Sequence, residues 1–112
     1  MNPHDRVRLR HALDAMNAAL GFIAGRSRSD LDSDRMLSFA LVRAIEIVGE
    51  AASKVSAETR AELPDLPWAS MVGMRNRLVH AYFDVNHDIL WDTVAQAVPP
   101  LAERLAALLG EE

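Results

Sequence analysis

Between Leu37 and Val55 the residues Leu37, Ala40, Leu41, Ala44, Ile45, Val48, Ala52 and Val55 recur at steps of three and four. That spacing paints one side of a 3.6-residue helix and does not suit the two-residue alternation of a half-buried strand. It predicts a helix over about 34–56 with a broad apolar face, and such a face needs partners to cover it. The rest of the chain offers them. A first helix is expected over about 3–24, with Pro3 suited to an early helical position and Val7, Leu13, Leu20 and Ile23 on its apolar side. A last long helix is expected after Asn86, with a face of Leu90, Val94, Ala97, Val98, Leu101, Leu105 and Leu108. Gly25 to Ser33 reads as a polar turn, with Ser33 or Asp32 as the cap of the second helix. Pro64 and Pro67 break the chain, and Pro99 and Pro100 should kink or interrupt the last helix. No stretch carries a strand signal. The expected fold is all-α: an up-down bundle of four to five helices, a single domain over 1–112, without a sheet.

The length of 112 residues fits one core, and a composition half hydrophobic and one quarter charged fits a folded chain. With no cysteine there is no disulfide framework and no thiolate metal site, which suits a reducing cytoplasm. No run approaches the ~20 apolar residues of a membrane span. The formal charge is −4, which argues against a nucleic-acid binder held by overall charge alone. Residues 1–43 carry a net +2 and residues 44–112 a net −6, so any site for RNA must be local, and the acidic remainder would suit a basic protein partner.

The candidate for such a site is Met71 to Asp84, MVGMRNRLVHAYFD, which gathers Arg75, Asn76, Arg77, His80 and Tyr82 into eight positions. On a continuous helix Arg75 and His80 would lie about 140° apart. They could then share a phosphate only across a bend, or with help from a second copy. The residue types fit RNA phosphodiester cleavage. Histidine, with an ordinary pKa of about 6.5, moves protons at neutral pH. Arginine grips phosphate and stabilises transition-state charge. Asn76 would orient the phosphate or the imidazole, and RNA brings its own 2′-hydroxyl nucleophile. The alternative reading keeps Arg75 and Arg77 as solvated charges, and His80 and Tyr82 as packed, hydrogen-bonded side chains. Glu46 and Glu50 project together from the second helix. They either pair locally, with Arg43 and Lys54, or reach across to hold Arg75 or Arg77. His4 and His11 have no third ligand nearby and are read as surface residues, so no metal site is expected.

The run GMRNRLVHAYF followed by DVNHDILW resembles the signature of the HepT-like toxins, minimal members of the HEPN ribonuclease superfamily. Arg75, four residues, His80, Ala81 and Tyr82 meet the family's arginine–histidine–tyrosine pattern. ALVRAIEIVGEAA, LPDLPWASMVGMRN and DILWDTVAQAVPPL are similar to family blocks in the same order, covering about residues 36–105. The resemblance implies a HEPN-like bundle acting as a metal-independent endoribonuclease toxin without a cofactor. Arg75, His80 and Asn76 would be catalytic, with Arg77, Glu46 and Glu50 supporting or binding RNA. It further implies a homodimer with the cleft at its interface. Tyr82 would accept AMP from a partner nucleotidyltransferase antitoxin, whose added charge and bulk would block phosphate docking. A rival reading is a non-catalytic nucleotide- or substrate-binding subunit that partners a minimal nucleotidyltransferase.

Overall fold

The computed structural model describes residues 1–81 and 84–110, with residues 79–81 described through their backbone alone. Helix α1 spans Pro3–Ile23, and the Asn2 side chain caps it by accepting from the Asp5 amide. Its inner face buries Leu9, Ala12, Leu13, Met16 and Ala19, while Val7 is half exposed. Gly25 turns the chain with a φ of 73°, a conformation that costs glycine little. Within the expected polar turn, Asp30–Ser33 forms one helical turn, α2.

Helix α3 spans Arg35–Ser53. Its cap is Asp34, which accepts from the Leu37 amide at 3.1 Å, and not Ser33 or Asp32. The physical reason is conformational: a cap residue needs extended backbone, and Asp34 has it whereas 32 and 33 sit inside α2. The apolar face read from the sequence is the buried one, through Leu37, Leu41, Ala44, Ile45, Val48 and Ala52, with Val55 buried just beyond the helix end.

Helix α4, Ala57–Glu62, starts at Ser56. There the buried carboxylate of Asp5 accepts from the Ser56 hydroxyl (2.6 Å), the Ser56 amide (3.0 Å) and the Thr59 hydroxyl (2.5 Å). These bonds, the Ser56 hydroxyl first, hold the carboxyl at about 2. Helix α5 spans Trp68–Leu78. Trp68 anchors its start by donating from Nε1 to the Leu63 carbonyl at 2.9 Å, with the Arg60 guanidinium over the indole.

After Leu78 the chain does not continue as a helix. Strand β1, Val79–Ala81, pairs antiparallel with β2, Asp84–Val85, with Val79 opposite Val85 and an irregular register. The sequence explains the change. Val79 and Val85 are β-branched, a type that favours extended backbone. The Asn86 amide then donates to the Leu78 carbonyl at 2.8 Å, closing the hairpin at its base. A ladder this small adds no layer, and the fold remains all-α.

Helix α6, His87–Asp92, is capped by the Asn86 side chain on the Ile89 amide. It continues through a π-helical segment, Thr93–Ala97, into α7, Val98–Leu108. Pro99 and Pro100 bring no amide to the carbonyls of Ala95 and Gln96, and their rings would crowd those carbonyls in a regular α-helix. The interruption expected from the two prolines is this π widening, placed one turn ahead of them. Helix α1 lies against α3 and α7, and α3 lies against α5. Leu9, Met16, Leu41, Ile45, Met71, Leu78, Leu90 and Leu105 fill the space between them. Each fully buried side chain of this kind contributes about 1.5–3 kcal/mol. No described helix is long and apolar enough to cross a membrane.

Candidate functional site

Gly49 builds the site by having no side chain. A Cβ placed there would sit 3.1 Å from the Val72 carbonyl oxygen and 3.4 Å from that of Met71, so α3 and α5 approach backbone to backbone. Three residues before Gly49 stands Glu46, and three after Val72 stands Arg75, each on the flank of that contact. They meet across it: Arg75 Nε donates to Glu46 Oε2 at 2.9 Å. The cleft between the helices holds about 280 Å³ and is lined by Glu46, Glu50, Ser53, Val72, Arg75 and Asn76 among others.

The reading in which Glu46 reaches the arginines is the arrangement found. Glu50 is bonded by neither Lys54 nor the α5 arginines; Arg43 reaches it at 3.0 Å, and lies 3.8 Å from Glu46. The cleft wall therefore holds two carboxylates and one guanidinium, and Arg43, which does not line the cleft, reaches the two carboxylates from beside it. Arg75 is engaged through Nε, and among the described residues nothing bonds its Nη edge. That edge of the guanidinium fork is the one suited to gripping a phosphate oxygen pair.

The structure thus brings together Arg75, Asn76, Glu46 and Glu50. It does not add Arg77, which lines a separate groove on the other side of α5. His80 lies in β1, past the point where the helix stops. The 140° separation computed for a continuous helix therefore does not apply to Arg75 and His80. Tyr82 lies outside the described residues. His4 and His11 are exposed on α1.

His87 is half-buried at the start of α6, with Nδ1 3.0 Å from Asp32 Oδ1 and Nε2 3.5 Å from Ser38 Oγ. Next to it Asp88 receives Arg28 at 2.6 Å. Asp32 has its carboxyl held low, first by the His87 contact and then by Arg28. These bonds tie the exit of the β1–β2 hairpin to α2 and α3. The Arg28–Asp32 pair has helical i,i+4 spacing that a sequence reading can find; the Asp32–His87 contact spans 55 residues and leaves no local trace.

Comparison with known proteins places the chain in a family. A family model described as Ribonuclease HepT-like matches residues 12–108. The chain is similar to "Putative RNase TTE0752" of Caldanaerobacter subterraneus, 35% identical over 107 residues and covering 96% of each chain. It is also similar to "Probable ribonuclease HepT" of Thermococcus cleftensis, 38% identical over 79 residues, or 70% of this chain and 72% of the relative. "Putative RNase MJ1380" of Methanocaldococcus jannaschii is 32% identical over 93 residues, covering 83% of this chain and 85% of that one. No solved structure matches the chain at a significant level. With most of its length matched, from the middle of α1 to the end of α7, the chain belongs to the HepT-like ribonuclease family.

Proposed function

We propose that this ribonuclease is the toxin of a toxin–antitoxin pair and cuts RNA internally by attack of the 2′-hydroxyl on the adjacent phosphate. Arg75 grips the scissile phosphate and offsets the charge that builds on it in the transition state. His80 takes the proton from the 2′-hydroxyl or gives one to the leaving 5′-oxygen. The new bond is 2′-O to phosphorus, the broken bond is phosphorus to 5′-O, and the product ends in a 2′,3′-cyclic phosphate. Asn76 orients the phosphate, and Glu46 holds the guanidinium in place before RNA arrives. The substrate supplies its own nucleophile, so the step needs no metal.

The observation that carries this reading is the Arg75–Glu46 pair at the mouth of the cleft, one helical turn before the hairpin that bears His80. A homodimer with the cleft at its interface is supported by a continuous stripe on α3, where Met36 (83% exposed) and Phe39 (63%) lead into Arg43, Glu46 and Glu50. Burying that patch against a second copy would bring two clefts together. Tyr82 is the AMP acceptor for a nucleotidyltransferase antitoxin in this reading. End-group analysis of RNA cut in the presence of a chelator tests the chemistry. Cyclic phosphate ends at undiminished rate are expected, and 3′-hydroxyl ends or loss of cutting would overturn it.

One observation favours a second reading, a non-catalytic nucleotide-binding subunit for a minimal nucleotidyltransferase. Glu46 and Glu50 outnumber Arg75 in the cleft lining, which suits a weak ligand better than a tightly held RNA.

A further inference from the structure

Arg75 and Arg77 are two positions apart, which on α5 places them about 200° apart around the axis. Arg75 faces α3. Arg77 lines a groove of about 470 Å³ between α5 and α7, floored by Leu66, Met74 and Leu101 and closed at its far lip by Arg104. Arg104 is paired with Asp65, while Arg77 has no hydrogen-bond or ion-pair partner among the described residues. Asp65, Arg77 and Arg104 leave the groove locally positive on a chain whose net charge is −4. Between the two grooves runs the outer crest of α5, where Ala69, Gly73 and Asn76 project. A Cβ built on Gly73 meets nothing within 4 Å, so the crest is open at that point.

We propose that the α5–α7 groove is a second subsite for single-stranded RNA. The strand passes from the phosphate held at Arg75 over the low crest at Gly73, and its next reachable phosphate is taken by Arg77. An unstacked base then lies on the apolar floor of Leu66, Met74 and Leu101, beside Arg104. Local guanidiniums of this kind are what an acidic protein must use to hold RNA, because its overall field repels the phosphate backbone. An apolar floor with a few placed charges is also the usual make-up of a small-ligand pocket, and unstacked bases are what RNA-binding proteins most often read. The inference rests on the ribonuclease reading and extends its substrate contacts beyond the scissile bond.

The test uses the full chain with His80→Ala to prevent cutting, and a single-stranded RNA of about ten nucleotides. Arg77→Ala should weaken binding about tenfold, the loss of one charge-assisted phosphate contact. It should also lower the slope of log affinity against log salt by about 0.7, the loss of one single-strand phosphate contact. Arg77→Lys should recover part of the affinity. With His80 restored, the loss in kcat/KM should be about tenfold greater for the oligonucleotide than for a dinucleotide too short to cross the crest. Equal losses on both substrates, or an unchanged salt slope, would overturn the subsite while leaving the ribonuclease reading intact. A change of oligomeric state with RNA binding unchanged would assign the groove to a second copy of the chain and overturn it too. A wild type that neither binds nor cuts any RNA fails the ribonuclease reading itself, and the subsite with it.

Discussion

Glu46 and Arg75 lie 29 positions apart, and their pairing follows from the missing side chain at Gly49. The steps Glu46 to Gly49 and Val72 to Arg75 are visible in sequence; which helix faces which is not, because that depends on packing. Gly49→Val should force α3 and α5 apart and cost about 1–3 kcal/mol, as overpacking typically does; a denaturant titration measures it. Glu46→Gln keeps the shape and removes the charge. Since a solvent-facing ion pair contributes about 0–1 kcal/mol, kcat/KM on RNA should fall by less than about tenfold, well short of the loss from Arg75→Ala. Asp5 was not singled out by any sequence pattern, because its partners Ser56 and Thr59 sit 51 and 54 positions away. Its carboxyl is held at about 2 against an ordinary 3.8. A depressed carboxylate contributes stability that is present above the ordinary value and lost as pH falls through the folded one. Circular dichroism should therefore show stability falling between about pH 4 and pH 2, with a flatter profile across that window in Asp5→Asn.

At the scale of elements, the helix period of α3 was legible from end to end, and so were the first and last helices. The sequence placed the interruption near Pro99 and Pro100, though it could not say that the chain would widen into a π turn rather than bend. The end of α5 was not legible. Arg75, Arg77 and Leu78 are good helix formers, and the strand tendency of Val79 and Val85 becomes decisive where Asn86 supplies an amide to the Leu78 carbonyl. The hairpin is then held at its exit by the His87 contacts to Asp32 and Ser38. His87→Ala should loosen that attachment and speed amide hydrogen exchange at Val79 and Ala81 relative to the α1 and α3 cores. Exchange unchanged at those amides would show that closure by Asn86 is sufficient.

Over the whole molecule, the bundle carries its acidic excess away from the N-terminal third, and the cleft lining itself holds two carboxylates to one guanidinium. With no positive excess at the site, RNA affinity must come from a few placed guanidiniums rather than from the surface at large. The all-α fold and the position of the candidate stretch could be read from periodicity and residue type. The order of the family-like blocks then gave the family. The partition of Arg75 and Arg77 onto opposite sides of α5 became apparent only with α3 and α7 in place on either flank. The measurement that bears most directly on the central claim is cleavage of total tRNA and a messenger RNA by the purified wild type, beside Arg75→Ala and His80→Ala with melting temperatures as folding controls. The account predicts cutting by wild type and a loss of at least about 100-fold in each folded variant, the scale of removing a transition-state charge contact or a general acid–base. Variants that cut as fast as wild type would contradict it.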